Sequence, residues 1–156
     1  MHRLAVGMLF VILIHSFGCA FFQAAGEKNR VIQLEMDRYR YAQSCEQVFP
    51  ELRQALFQEG YQVRDSADGG MTVETEWARS NNTNRDRRYL AQGIVTEDSG
   101  CKIRVTFVER YPDTDHQQSG RDYDMEMIIL RRVNPADHAE VMRKAEAAYQ
   151  ASVNQS

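Results

Sequence analysis

Three sets of residues in this chain have the types that chemistry uses, and their spacing says what each can do. Cysteines stand at 19, 45 and 101. A thiolate nucleophile needs an activating neighbour and a redox couple needs a Cys-x-x-Cys pair. Here the three are widely separated, and neither Cys45 nor Cys101 has a histidine beside it. Asp113, Asp115 and His116 crowd one short segment, PDTDH, and carboxylate and imidazole both suit divalent ions. That segment has neither a full calcium-loop pattern nor a second cluster of zinc ligands, so turn chemistry after Pro112 accounts for it and no metal is assigned. Arg85, Arg87 and Arg88 form a basic cluster that can grip anionic head groups or an acidic partner surface, or simply solvate a hairpin end. Trp77, Tyr89, Tyr111 and Tyr123 can line a groove between sheet and helices, although burial in the core is the first use of an aromatic such as Trp77. No Gly-x-Ser-x-Gly, phosphate loop or His-Glu-x-x-His is present, and His116 and His138 have no nucleophile partner in sequence. The expectation is a chain without catalysis or cofactor, in which Arg85, Arg87, Arg88, Trp77 and Tyr111 mark a partner or ligand surface.

The chain that must position these residues is 156 long, enough for one ordinary domain and too short for two full-sized ones. Hydrophobic residues make up 43% and charged residues 26%, a balance that excludes wholly disordered and collagen-like classes. With 19 basic against 22 acidic side chains the formal charge is −3, which gives no electrostatic ground for nucleic-acid binding.

Residues 1–18, MHRLAVGMLFVILIHSFG, begin with a basic pair, His2 and Arg3, followed by an apolar run from Leu4 to Ile14, the shape of a signal peptide. The run is shorter than the roughly 20 apolar residues of a spanning helix. Gly18-Cys19 resembles the lipobox of bacterial lipoproteins, which implies that Cys19 becomes the lipidated N-terminal residue. Ordinary cleavage after Gly18, in a Ser-x-Gly context, is the alternative. Ala20, in place of aspartate, implies outer-membrane sorting with the protein facing the periplasm. Residues 19–30 then read as a lipidated N-terminus and short tether. With Cys19 given to the lipid, Cys45 and Cys101 are left as an even pair in an exported protein, and a disulfide is inferred. It would close a loop of about 57 residues, worth roughly 4 kcal/mol by chain entropy.

The remaining elements follow from periodicity. Residues 31–37, VIQLEMD, alternate with Ile32, Leu34 and Met36 on one side, the period of a half-buried strand. From Ser44 the spacing predicts a helix with Cys45, Val48, Phe49, Leu52, Ala55 and Leu56 on one face, stopped at Gly60; Pro50 allows a later start near Phe49. Strands are expected at Tyr61–Arg64, Met71–Trp77, Arg88–Glu97 and Cys101–Val108, the last three as an antiparallel meander, with turns at Asp65–Gly70 and Asp98–Gly100. Ala78–Arg87 and Tyr111–Gly120 read as polar loops. Asp122–Val133 and a segment opened by Asn134-Pro135 read as two helices, the second carrying Val141, Met142, Ala145, Ala148 and Tyr149. The sum is one α+β domain over 31–151, an antiparallel sheet of about four strands with helices on one face, and a frayed tail at 152–156.

The run CEQVFPELRQALFQEGYQVRDSADGGMTVETEW, from Cys45 to Trp77, is similar to the helix, Gly-Tyr turn, short strand, acidic-Gly turn and strand of the BamC family of envelope lipoproteins, and Asp122–Ala148 is similar in character to that family's C-terminal helix. The family's proteins carry two such domains behind a long extended segment, whereas this chain has one. The resemblance implies a helix-grip-like layer fold, and the lipoprotein address together with the lack of a catalytic motif gives the expected role, membrane-anchored and non-enzymatic contact with envelope or outer-membrane proteins. A different class of function, a periplasmic module holding a lipid or other apolar small molecule between sheet and helices, is the alternative. A hydrolase assembled from separated segments is a third.

Overall fold

The computed structural model describes residues 22–64, 71–79, 85–111, 114 and 116–155. Among them are four helices and a six-stranded antiparallel sheet. Helix α1 covers 22–38, α2 Cys45–Gln58, α3 Tyr123–Val133 and α4 Pro135–Val153. The strands are β1 Val63–Arg64, β2 Thr72–Thr75, β3 Ala78–Arg79, β4 Asp86–Val95, β5 Cys101–Arg110 and β6 Gln117–Arg121. Along the sheet the order is β1-β2-β4-β5-β6, with β3 paired to β4 beside β2, and the sheet is open. The chain divides into two compact units, 38–138 and a pair of helical segments, 22–37 with 139–155.

In the larger unit, α2 starts where the spacing predicts. Gln47 accepts the Ser44 N–H at 3.2 Å, and the helix runs on through Pro50, an exposed position. It ends on Gly60 at φ +88°, a conformation glycine reaches without Cβ strain, with Tyr61 N–H donating to Leu56 O at 3.0 Å. Val48, Leu52, Ala55 and Leu56 have no solvent exposure, and each large aliphatic among them contributes about 1.5–3 kcal/mol by leaving water. Ile129 and Leu130 of α3 join them. The Cys45–Cys101 disulfide is present, with Cα atoms 4.8 Å apart and both residues buried. It ties the first residue of α2 to the first residue of β5. Gly93 of β4 shows how closely that helix approaches: a Cβ there would collide with the Phe49 ring and sit 3.0 Å from Cys45 Sγ.

β4 and β5 pair over their whole length, from Asp86↔Arg110 to Val95↔Cys101. The Thr96–Gly100 connection is closed by Thr96 N–H to Gly100 O at 3.0 Å, with Ser99 at φ 65°. α3 is capped by Asp122, whose carboxylate accepts the Met125 N–H at 2.9 Å. Its buried Glu126 accepts the Val105 N–H at 2.9 Å, standing in for a ladder partner beyond the end of β6, and takes two hydrogen bonds from Arg121.

In the smaller unit, Lys28 pairs with Glu146 at 3.0 Å and Lys144 with Glu35 at 2.8 Å, so α1 and the C-terminal part of α4 lie alongside one another. Ala24, Met36, Val141 and Ala145 are buried there.

Five expectations are corrected. Residues 31–37 are helical, and so are residues 22–30, the described part of the segment read as a tether. Ile32 and Met36 fit either period because they are four apart; Leu34, the residue that argued for a strand, is 40% exposed. Gln117–Arg121, read as loop, is β6, and Ala78–Arg79 is β3. Strand β2 ends at Thr75, two residues before Trp77.

Candidate functional site

The predicted surface residues gather at one end of the sheet, but β-strand alternation divides them. Arg87 and Arg88 are consecutive on β4 and so project to opposite faces. Arg85 and Tyr111 belong with Arg87; Trp77 belongs with Arg88.

The first cluster is built on Glu109 of β5, 3% exposed. Register places Arg87 of β4 and Gln118 of β6 directly beside it. One carboxylate oxygen accepts from Arg87 Nε at 2.9 Å and Nη2 at 2.6 Å; the other accepts from Arg85 Nη1 at 3.0 Å and Gln118 Nε2 at 2.7 Å. Burial pushes the Glu109 carboxyl up, and the bonds from Arg87, Gln118 and Arg85 overcome it and hold the group below its usual range. The network continues from Arg87 Nη1 to Tyr89 OH at 3.2 Å and from that hydroxyl to Asp122 at 2.9 Å. Burial and the Asp122 charge raise the Tyr89 phenol well above its ordinary value. Apolar faces complete the packing: the Arg87 guanidinium lies 4.9 Å from the Phe107 ring centre, Arg85 lies 4.4 Å from that of Tyr111, and Tyr61 meets Tyr89 edge-on at 4.7 Å.

On the opposite face of the sheet two guanidinium groups lie over the Trp77 ring, Arg110 at 4.3 Å and Arg88 at 4.8 Å from its centre. Arg88 also pairs with Glu74, and Arg110 with Asp86 at 3.3 Å. Continuation of the Met71–Thr75 alternation would put Trp77 among the buried residues. It lies instead half-buried beyond the end of β2, where the ladder no longer dictates direction.

Sequence reasoning missed Glu109, Gln118, Asp122 and Arg110. The signal for Glu109 was present: it extends the alternation Val105, Phe107 on β5, and a carboxylate at an inward position of a strand calls for a cationic partner. Four donor contacts occupy the two carboxylate oxygens of Glu109, so the cluster is chemically a lock.

Two open depressions mark the larger unit. One, about 640 Å³, is lined by Arg40, the exposed Ile94 and Val95, and Lys102 at the β4–β5 turn; the other, about 450 Å³, by Pro50, Arg53, Phe57 and Val63. Trp77 lines neither. Among the described residues there is no group of three metal-ligating side chains, and no helix is long and apolar enough to cross a membrane. Cys19, Asp113 and Asp115 lie outside the described residues; His116 tilts against the Tyr111 ring at 6.0 Å. Comparison of the chain with protein-family models, with curated proteins and with solved structures finds no match.

Proposed function

We propose that this chain is a membrane-anchored bacterial lipoprotein, held through a lipid on Cys19 at the periplasmic side of the outer membrane, whose disulfide-stapled α+β unit is a non-catalytic module for contacts with other envelope proteins. The observation that carries the reading is the buried Cys45–Cys101 bond, because such bonds persist where thiols are not kept reduced. The signal-peptide shape of residues 1–18 and the Gly18-Cys19 junction agree with that compartment. A BamC-like, helix-grip-like layering with α2 and α3 on the same sheet face is part of the proposal. Its support is that α2, whose Phe49 and Cys45 close on Gly93, packs against both β4–β5 and α3, and that α3 also packs against β5. The half-buried aromatic–arginine stack around Trp77 suits an interaction surface, and the buried Glu109 lock holds the end of the sheet that presents it.

Intact mass of the protein taken from its own membrane tests the address. The expected result is a chain beginning at Cys19 with diacylglycerol and acyl mass and two thiols that appear only on reduction. An unmodified chain with free thiols overturns the proposal. Crosslinking of the native protein in membranes then tests the role: envelope proteins in the adducts support an interaction module, and a co-purifying apolar small molecule in their place favours the carrier function.

A further inference from the structure

The strand order ends at β1 and β6, and β6 is the longer of these two edges. Asp122 N–H donates to Val105 O at 2.8 Å and Tyr111 N–H to His116 O at 3.5 Å, which sets the phase of the β5–β6 ladder. Gly120 and Gln118 therefore exchange backbone bonds with Phe107 and Glu109, and the N–H and C=O of Gln117 and Ser119 point away from β5. Among the described residues no strand pairs with β6 on that side.

Protein edges of this kind are normally guarded by lysine, proline, a bulge or a covering element. Residues 117–120, Gln-Gln-Ser-Gly, carry no charge and no proline, and the first three are exposed. Gly120 adds no side chain, and the space that a Cβ would claim lies 3.0 Å from the Phe107 ring. The edge is short, and neutral from Gln117 to Gly120.

We infer that β6 pairs antiparallel with β6 of a second copy of this chain, with the two-fold axis at Gln118 and Gln117 facing the partner's Ser119. The evidence for a second copy is self-complementarity. In this register the outward backbone groups of Gln117 meet those of Ser119 twice over, giving four interchain hydrogen bonds. The side-chain pairs are Gln with Ser, and Gln with Gln at the axis, so no like charges stand opposite one another. The contact is smaller than a standard interface, so association is weak and dependent on concentration. The inference concerns the folded unit and stands apart from the anchoring proposed above.

Sedimentation equilibrium of the full chain in density-matched detergent tests it. The expected result is a monomer–dimer equilibrium. Ser119→Pro removes an outward N–H without touching the β5–β6 ladder, and weakens the dimer at least about tenfold. Gln117→Lys with Ser119→Lys places lysines opposite each other and does the same. Gln117→Lys with Ser119→Asp, which pairs opposite charges, recovers association. Far-UV circular dichroism shows the variants folded; should Ser119→Pro fail to fold, the two charge variants decide. A wild-type chain that stays monomeric overturns the inference, including one that binds only an added extended peptide. So does a dimer whose affinity ignores all three variants.

Discussion

The two faces of the sheet at its β4–β5 end use the same ingredients, arginines, carboxylates and aromatic rings, to different effect. Around Glu109 the carboxylate is 3% exposed and each of its oxygens accepts two bonds. Around Trp77 the ring is the central element and its ion pairs are partly exposed, with Arg110 42% and Glu74 35% open to water. A buried carboxylate must be fully bonded or it is costly, whereas a half-exposed pair is screened and loses little when broken. One pleat of a strand, Arg87 against Arg88, separates a structural necessity from an adaptable surface.

That contrast can be broken by substitution. Glu109→Ala should cost about 3 kcal/mol in urea unfolding, because it strands Arg85 and Arg87 against apolar rings while leaving them partly wet. Trp77→Ala should cost about 1–2 kcal/mol, from two cation–π contacts and a half-buried ring. If Trp77→Ala proved the more damaging, the assignment of lock and surface would be reversed. Acid sharpens the comparison. The folded Glu109 carboxyl is held below its ordinary 4.5, so its stabilisation is complete above that pH and is lost as pH falls through the lower folded value. Glu109→Gln should therefore flatten the loss of stability with falling pH below about 4.5, and Trp77→Ala should leave its shape unchanged. At the small end, Glu76→Gln, which breaks the exposed pair with Arg64, should leave the unfolding midpoint unmoved.

What was legible in the sequence were the segments whose burial decides their structure. The α2 face from Cys45 to Leu56 and the cap at Ser44 are read directly from spacing, as are the Asp122 and Asn134-Pro135 helix starts and the long β4–β5 hairpin. Elements held by backbone pairing alone were hidden. Strand β6 has no apolar residue to alternate, since its bonds to β5 supply what side chains do elsewhere. Residues 31–37 misled because Ile32 and Met36 satisfy two periods at once. The arginine cluster was visible as composition, but its partition was not: that requires the register which sets Arg87 beside Glu109, information held in a strand more than twenty residues away.

The junction at Tyr41 bears on how the molecule carries load. Tyr41 exchanges both backbone hydrogen bonds with Cys101, at 2.7 and 2.9 Å, and four residues later Cys45 is bonded to the same Cys101. A pull arriving at Tyr41 is thus received by β5, first through two hydrogen bonds and then through a covalent link. Force ends there, at a central strand paired on both sides, and α2 is shielded from being peeled off the sheet. The disulfide then acts as a mechanical stop, and its reduction would let failure that begins at the two Tyr41–Cys101 hydrogen bonds run on into the core.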